Sequence, residues 1–334
     1  MTNRDKCCIV IIDFEGGALS RVLRKFRCGV TLMYIADMHC DSILTVNSER
    51  GIINRYNFSR EYPQLQLTAA FVPKDGRTPE ERRRSLMRYA DIYIAECGRL
   101  DLLRVTNCFD LNMAIQMERR SVMLAVEGGA GLFADSEELN TLYRLGMRVL
   151  GLAWDSNELA AGAWGEEDYG LTRDGAELVK RCSELGIIMD VSHLSDRAFF
   201  DLLEVTSYPV IATHSNFRAV ADSPRNLTLD QARKISARGG VIGLNLYPPF
   251  LSGEEKATVD HVLRHVDYAL TNLGEDTLGF GFDLDGFDGN HAEGLSEERS
   301  IHDQLIELLL KNYSEGVVRK LAGENVINFF RSNI

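Results

Sequence analysis

Short apolar runs alternate with longer amphipathic segments along almost the whole chain, which is 334 residues long. Such runs are typical of β-strands, and several are almost continuously apolar, as expected for parallel strands buried on both faces. We predict strands at residues 31–37, 65–72, 122–127, 149–154, 187–192, 210–213, 240–246 and 277–283. We predict helices between them, among others at residues 79–103, 136–145, 173–185, 195–204, 228–237 and 258–272.

Eight strand–helix units in a chain of this length predict an α/β fold of the (β/α)8 TIM-barrel type, for which about 250 residues are typical. A doubly wound open sheet is the competing architecture. It requires a glycine-rich fingerprint after the first strand, and the sequence from Asp37 to Asp41, DMHCD, contains no glycine. The barrel is therefore the better prediction.

Charge and cysteine content narrow the classes of partner and compartment. Lys and Arg number 37 against 49 Asp and Glu, which gives a net charge of −12 and disfavours nucleic acids and anionic lipids as partners. The apolar run at residues 7–12 is too short to span a membrane. Seven cysteines, an odd number, without CxxC spacing suit free thiols in a reducing cytoplasm. We predict a cytoplasmic protein without a membrane anchor.

Histidines and carboxylates stand at the ends of five predicted strands. They are His39 and Asp41, Glu127, His193, His214, and Asp283 with Asp285 close behind. In a barrel, the C-terminal ends of all strands meet at one mouth, where the active site lies. Groups of this kind are too costly to bury unpaired, and a divalent cation removes that cost. Imidazole and carboxylate together suit zinc, with other transition metals as alternatives.

The number of these side chains predicts two metal ions. His39 and Asp41 are assigned to one ion, His193 and His214 to the other, and Glu127 bridges them because a carboxylate has two oxygens. A pair of ions about 3.5–4 Å apart holds a hydroxide between them and polarises a carbonyl, as in two-metal hydrolysis.

Each residue also has a plainer interpretation. A single histidine after an apolar run is more often structural, Asp41 can cap the next segment, and Glu127 can be an ordinary loop carboxylate. The coincidence of five such residues at strand ends favours the metal site. We interpret the remaining helix histidines as solvated or packed residues, and Cys40 as a small buried residue on the opposite strand face. The residues so interpreted are His261, His265 and His302.

Several segments resemble the zinc-dependent membrane (renal) dipeptidases and their bacterial relatives. They lie at residues 37–41, 126–129, 189–196, 209–216, 224–228, 239–245 and 281–286. The resemblance runs from about Met33 to the C-terminus. It implies a (β/α)8 barrel, two Zn²⁺ held as assigned above, dipeptide substrates and a homodimer.

The resemblance also implies two roles that the strand pattern does not give. Arg225 is expected to bind the terminal carboxylate of the substrate, to which a guanidinium group is well matched. Asp283 is expected to handle the proton beside the bridging water. The chain is then expected to be a metallodipeptidase in which the metal-bridging hydroxide attacks the peptide carbon and Asp283 passes a proton to the leaving amine.

The sequence departs from this family at two places. Trp154 stands where well-known members carry a histidine that contacts the substrate, and an indole donates a hydrogen bond but transfers no proton. Substrate range or rate is therefore expected to differ. The resemblance that we recognise begins at about Met33, so we predict an N-terminal extension at 1–32 and a single catalytic barrel domain at 33–334.

Two other functions remain open at this point. One is hydrolysis of another amide, a lactam or an ester at the same two-metal centre. The amidohydrolases of that kind begin with His-x-His and often use a bridging lysine, whereas this chain has His-x-Asp and Glu127. The other is a metal-loaded binding or scaffold protein that has lost its chemistry, for which Trp154 is the best argument.

Overall fold

Parallel strands and helices alternate through the structure, a computed structural model that describes residues 33–43, 57–72, 76–287, 292–296 and 298–334. The predicted extension at 1–32 lies outside the described residues. The strands within the described ranges are β1 Ile35–Cys40, β2 Gln64–Phe71, β3 Leu103–Arg104, β4 Ser121–Glu127, β5 Met147–Gly151, β6 Ile188–Asp190, β7 Val210–Ile211, β8 Ile242–Leu244 and β9 Leu278–Phe280.

Helices follow the strands and surround them. In the described part of the chain they are α1 Pro79–Leu100, α2 Cys108–Gln116, α3 Glu137–Leu145, α4 Arg173–Leu185, α5 Asp196–Val205, α6 Leu229–Ala237, α7 Pro248–Ser252, α8 Val259–Leu273, α9 Ile301–Asn312, α10 Glu315–Arg319, a π-helical turn at Lys320–Glu324, and α11 Asn325–Asn333. None of these helices combines the length and hydrophobicity that a membrane span requires.

The sheet is parallel, with strand order β7-β6-β5-β4-β2-β1-β9-β8, and β3 pairs with the start of β4. Its two ends meet at Ala212, directly after β7, which forms a bridge to Ile242 of β8. The Ala212 N–H donates to the Val241 carbonyl (3.1 Å), and the Gly243 N–H donates to the Ala212 carbonyl (2.7 Å). The predicted (β/α)8 barrel is therefore confirmed.

Glycines permit the strands to approach each other at this closing point. A Cβ on Gly243 would lie 1.9 Å from the Thr213 carbonyl oxygen, and a Cβ on Gly281 would lie 1.8 Å from the same atom. No side chain fits at either position, so the backbone of β8 and β9 packs directly against the residue that precedes His214.

Alternate residues of the strands face two different layers. In β4, Val122, Leu124 and Val126 pack with the surrounding helices, whereas Met123 and Ala125 belong to a second cluster inside the barrel. Residues of α11, among them Val326 and Phe330, join that inner cluster. The inner cluster fills the barrel below its mouth, so polar residues at the C-terminal strand ends lie above an apolar floor.

The start and stop signals of the helices agree with the prediction. Thr78 and Thr228 form capping boxes with Glu81 and Gln231, and Gly146 ends α3 in the left-handed conformation. The helices α2, α7 and α9 to α11 and the π-helical turn add to those predicted. His265 and His302 are buried packed residues, which agrees with their interpretation.

Candidate metal centre

A bulge in β1 determines where His39 points. Asp37 pairs with Gln66 and Cys40 pairs with Thr68, so an advance of three residues along β1 is paired with an advance of two residues along β2. Met38 lies in the inner cluster and Cys40 in the outer layer. The extra residue allows His39 to face the barrel mouth on the same side as Met38, which regular alternation forbids.

The side chain of Asp37 holds this bulge in place. Its Oδ1 accepts hydrogen bonds from the backbone N–H of His39 (3.2 Å) and of Phe282 (3.1 Å), and its Oδ2 accepts one from His302 Nε2 (2.7 Å). Asp37 and His302 are both fully buried. One carboxylate thereby fixes the backbone at His39 and the backbone directly before Asp283.

Two further site residues owe their direction to an unusual backbone conformation. His193 has φ 71° and Asp283 has φ 63°, both in the left-handed region that non-glycine residues rarely occupy. Each such residue costs about 1–3 kcal/mol, and strain of this kind concentrates at functional sites. His193 lies three positions after Asp190, the last residue of β6, and Asp283 lies three positions after Phe280, the last residue of β9.

Glu127 lies between two groups of side chains. Its Oε1 is 2.7 Å from His193 Nε2 and 3.3 Å from His214 Nε2. Its Oε2 is 3.6 Å from His39 Nε2, which is itself 3.5 Å from Asp41 Oδ2. The structure thus brings all five predicted ligands together, with the two groups on different oxygens of one carboxylate. Asp283 Oδ1 adjoins this cluster, 3.9 Å from His39 Nε2.

The Nδ1 atoms of the three histidines are all engaged away from Glu127. His193 Nδ1 lies 3.1 Å from the Trp154 carbonyl oxygen, which can only accept, so this nitrogen carries the proton. The Nδ1 atoms of His214 (2.8 Å) and His39 (3.3 Å) both face the hydroxyl oxygen of Thr213. This arrangement leaves the Nε2 atoms directed at Glu127, and a metal-binding histidine is typically oriented in this way.

Asp190 directs the Thr213 hydroxyl. The hydroxyl donates to Asp190 Oδ2 (2.5 Å), and Asp190 Oδ1 accepts from the N–H groups of Thr213 (2.9 Å) and Ser192 (3.0 Å). Since its proton points to Asp190, the hydroxyl oxygen accepts from both histidine rings. Thr213 therefore contacts a member of each group around Glu127.

The electrostatics of the cluster favour bound cations. Burial alone lowers the pKa of His39, but Glu127 and Asp41 outweigh burial and raise it well above its usual value. Burial would raise the pKa of Glu127, yet His39 and His193 hold it well below its usual range. Burial, reinforced by Asp41 and Glu127, raises the pKa of Asp283 well above its usual value. Crowded carboxylates of this kind are stabilised by cations.

Two buried polar atoms indicate that a metal ion fits. Among the described residues, His39 Nε2 and Asp41 Oδ1 have no hydrogen-bond partner. Unsatisfied buried polar atoms are rare in folded proteins and call for an unseen ligand. Two overlapping sets of residues each bring their ligand-type atoms within 4.8 Å of one another. One set is His39, Glu127 and His214, and the other is His39, Asp41 and Asp283.

A cavity of about 690 Å³ opens above this cluster. Its lining includes His193, Asp283 and Arg225. Arg225 is only 3% exposed, and within the described part of the chain its Nε and Nη2 have no partner. Burial lowers its pKa to about 10. A buried guanidinium group with free donors is suited to bind an anion that enters the cavity.

Trp154 also lines this cavity and is 42% exposed. Its ring lies between Phe71 (4.9 Å between centroids) and His193 (5.9 Å). The side chain forms one wall of the cavity while its backbone carbonyl orients His193. The contact of the Trp154 backbone with His193 therefore does not depend on the side chain at this position. The difference between tryptophan and histidine concerns only the side chain.

Sequence reasoning missed the residues that orient the predicted ligands. These are Asp37 and His302, Asp190 and Thr213, and Asn245, whose Nδ2 donates to Asp283 Oδ2 at 2.9 Å. Asp37, Asp190, Thr213 and Asn245 stand in or directly after apolar strands. A polar residue at such a position is the signal that could have identified them.

Comparison with known proteins identifies relatives over nearly the whole chain. The model of the family described as membrane dipeptidase (peptidase family M19) matches residues 30–333. An uncharacterized protein in the pqqA 5' region of Klebsiella pneumoniae is 31% identical over 218 residues, which are 62% of this chain and 80% of that protein. Dipeptidase tcpJ of Claviceps purpurea is 32% identical over 213 residues, 63% of this chain, and the match spans only 50% of that protein.

Solved structures share the fold. The crystal structure of dipeptidase AC, a metallopeptidase of family M19, has a TM-score of 0.79 at 25% identity and covers 91% of this chain and 99% of its own. A metallopeptidase from Rhodobacter sphaeroides, liganded with a phosphinate mimic of the dipeptide L-Ala-D-Ala, also has a TM-score of 0.79. It is 23% identical and covers 91% of this chain and 100% of its own.

Proposed function

The chain belongs to the membrane dipeptidase family, peptidase family M19, and from this premise we propose that it is a metallodipeptidase. Its substrates are dipeptides with a free C-terminal carboxylate, and the reaction is hydrolysis of their peptide bond. One observation carries the proposal: a buried cluster of five ligand-type side chains around Glu127 opens into the cavity that the buried guanidinium group of Arg225 lines.

We propose two Zn²⁺ ions as the cofactor. Asp41 and His39 would hold one ion and His193 and His214 the other, and Glu127, whose two carboxylate oxygens face the two groups, would be shared between them. Neutral imidazole and carboxylate are the ligands that zinc prefers, and other divalent transition metals accept the same set. When bound, such a pair supplies an activated water and polarises the substrate carbonyl.

Arg225 fixes the substrate through its terminal carboxylate. Its Nε and Nη2, unpartnered among the described groups, form a fork that matches the two oxygens of a carboxylate. Because Arg225 is buried, this ion pair is stronger than one at the protein surface. A free C-terminus at this position restricts the substrates to short peptides.

Asp283 holds and transfers the proton. Asn245 Nδ2 binds its Oδ2, so Oδ1 remains directed at the centre. Burial, with the nearby carboxylates, raises its pKa, which suits a group that takes a proton from the attacking water and gives it to the leaving amine. Trp154 has no part in proton transfer, since an indole only donates.

The test is amino-acid release from dipeptides, with metal present and after chelation, compared with the same dipeptides amidated at the C-terminus. We expect chelator-sensitive cleavage of the free acids. Arg225→Ala is expected to raise KM mainly for these substrates, because it removes the carboxylate contact. An equal loss on amidated dipeptides would exclude this role of Arg225, and a metal-loaded protein that cleaves no dipeptide would refute the proposed function.

A further inference from the structure

The wall of the cavity beside Arg225 is aromatic. Phe250 lies with its ring 5.2 Å from the Arg225 guanidinium carbon. Trp164 is stacked near Phe250, with ring centroids 6.4 Å apart and an interplanar angle of 30°. Both rings line the same cavity as Arg225. The three side chains therefore form a continuous surface from the guanidinium group to the mouth, which we call the aromatic wall.

Trp164 is exposed in a way that calls for a ligand. Its side chain is 56% exposed, although a tryptophan offers a large apolar area whose burial is favourable. The chain contains two tryptophans. Both of them, Trp154 and Trp164, line this cavity. Exposed aromatic rings inside a concave polar site are typical of surfaces that a ligand covers.

The backbone holds the aromatic wall in a fixed position relative to the metal centre. The Ala163 N–H donates to the His193 carbonyl (2.7 Å), and the Ser195 N–H donates to the Ala161 carbonyl (3.0 Å). The loop that carries Trp164 is thereby attached to the segment that carries His193. A wall fixed in this way selects a ligand by its shape, because little ordering is required on binding.

Phe250 is tied to Arg225 by a separate set of contacts. The Nδ2 of Asn226, the residue after Arg225, donates to the Phe250 carbonyl at 2.8 Å. Asn216 Nδ2 donates to the same carbonyl at 3.2 Å. The distance between the carboxylate-binding group and the aromatic wall is consequently fixed by buried hydrogen bonds.

These observations assign an occupant to the aromatic wall, on the premise of the proposed function that Arg225 binds the terminal carboxylate. The side chain of the C-terminal residue starts about 2.5 Å from the carboxylate carbon, two bonds away. It must therefore lie next to the ring that packs on Arg225. We propose that the preferred substrates are dipeptides with a large apolar or aromatic C-terminal residue, which packs against Phe250 and Trp164.

Charge in the cavity adds a second element of selectivity. Glu255 is exposed and lines the same cavity. A dipeptide with Asp or Glu at the C-terminal position would bring a further carboxylate into the cavity that Glu255 lines, and like charges repel. The expected order of kcat/KM is Ala–Phe and Ala–Leu first, Ala–Ala and Ala–Gly next, and Ala–Glu last.

The experiment compares kcat/KM for Ala–Leu and Ala–Gly in the metal-loaded wild type and in Trp164→Ala, Trp164→Phe and Phe109→Ala. Contacts of this size in an apolar pocket change kcat/KM by about 10- to 100-fold. Trp164→Ala is expected to remove most of the preference for Ala–Leu and to leave Ala–Gly within about threefold, and Trp164→Phe is expected to restore the preference. Phe109, 71% exposed on α2, is the matched control and should have no effect.

A binding measurement keeps the inference testable apart from turnover. In Trp154→Phe, Trp164 is the only tryptophan, so its fluorescence reports on the aromatic wall. Ala–Leu is expected to shift this emission to shorter wavelength, and Ala–Gly is not. Cleavage of both dipeptides with equal kcat/KM, or an equal loss on both in Trp164→Ala, would overturn the inference and leave the proposed function intact. Absence of any cleavage would refute the proposed function, and the fluorescence shift would then decide the inference by itself.

Discussion

The carboxylate of Glu127 connects side chains that come from distant parts of the sequence. On one oxygen it meets His193 and His214, and on the other it faces His39, which lies close to Asp41. This division supports the proposal of two metal ions with one bridging carboxylate. The contacts of the three Nδ1 atoms support it further, because they leave every Nε2 directed at one or the other oxygen of Glu127.

Replacement of Asp283 by asparagine tests proton transfer. The amide is close in shape to the carboxylate and keeps a contact with Asn245, but it does not titrate. We expect Asp283→Asn to retain its metal and to lose about 10²- to 10⁴-fold in kcat, the usual contribution of a general acid–base group. Metal content by elemental analysis and kcat on one dipeptide are measured together. Near-normal turnover would refute Asp283 as the proton carrier.

Thr213 allows a test of ligand orientation. Thr213→Val keeps the shape of the side chain but removes the oxygen that faces the Nδ1 atoms of His39 and His214. We expect metal affinity to fall about 10- to 100-fold, and Thr213→Ser to restore it, since loss of such partners has effects of this size. Competition with a chelator gives the affinities, and circular dichroism verifies the fold. Unchanged affinity in Thr213→Val would contradict this role.

At the scale of elements, the sequence predicts the barrel well because its strands are buried apolar runs and its helices carry clear caps. It also predicts which strand ends bear metal-type residues. It does not predict the bulge in β1. The first strand is predicted at 31–37, which ends before His39, whereas β1 extends to Cys40. The bulge depends on Asp37, whose partners Phe282 and His302 are more than 240 positions away in sequence, and a local pattern contains no information of this kind.

The left-handed conformations of His193 and Asp283 are a second feature that the sequence does not reveal. Glycine is the usual residue in this region, so a histidine and an aspartate there contradict local preference. Surrounding contacts impose the conformation: the Asp283 N–H donates to the His39 carbonyl at 3.2 Å. Tertiary structure, rather than propensity, directs these two side chains.

The packing of α8 against its neighbours depends on a neutral His265. Its Nδ1 accepts from the Phe217 N–H (3.3 Å), and its Nε2 faces the Leu251 carbonyl (3.0 Å) and so carries the proton. A second proton would be bound to Nδ1 and would point at the Phe217 N–H, which is itself a donor. Burial is the main reason that the pKa of His265 is lowered to about 4.

This pKa predicts a loss of stability in acid. The unfolded chain takes up the proton near the ordinary pKa of about 6.5, so the contribution of His265 is complete above that pH and declines as the pH falls toward 4. The resulting loss in the free energy of unfolding amounts to about 3 kcal/mol at most. Urea unfolding from pH 7 to 4 should show a smaller decline in His265→Gln than in the wild type or in His261→Gln, a control on the same helix. Identical declines in all three would contradict the assignment.

For the whole molecule, the barrel places every proposed functional residue at one end of the sheet. The apolar inner cluster closes the other end, so substrate enters from the mouth. We propose that residues 33–334 form the catalytic domain, because all strands of the barrel and all residues of the centre lie within them. The homodimer that the resemblance implies stays a prediction, which light scattering tests.

We propose that two metal ions held around Glu127 carry out dipeptide hydrolysis. The most direct test is a titration of the metal-stripped protein with Zn²⁺, in which bound metal and amino-acid release from Ala–Leu are measured at each point. We expect no turnover without metal and full turnover only at two bound ions per chain. Turnover by the stripped protein, or full turnover at one bound ion, would refute the role of two ions.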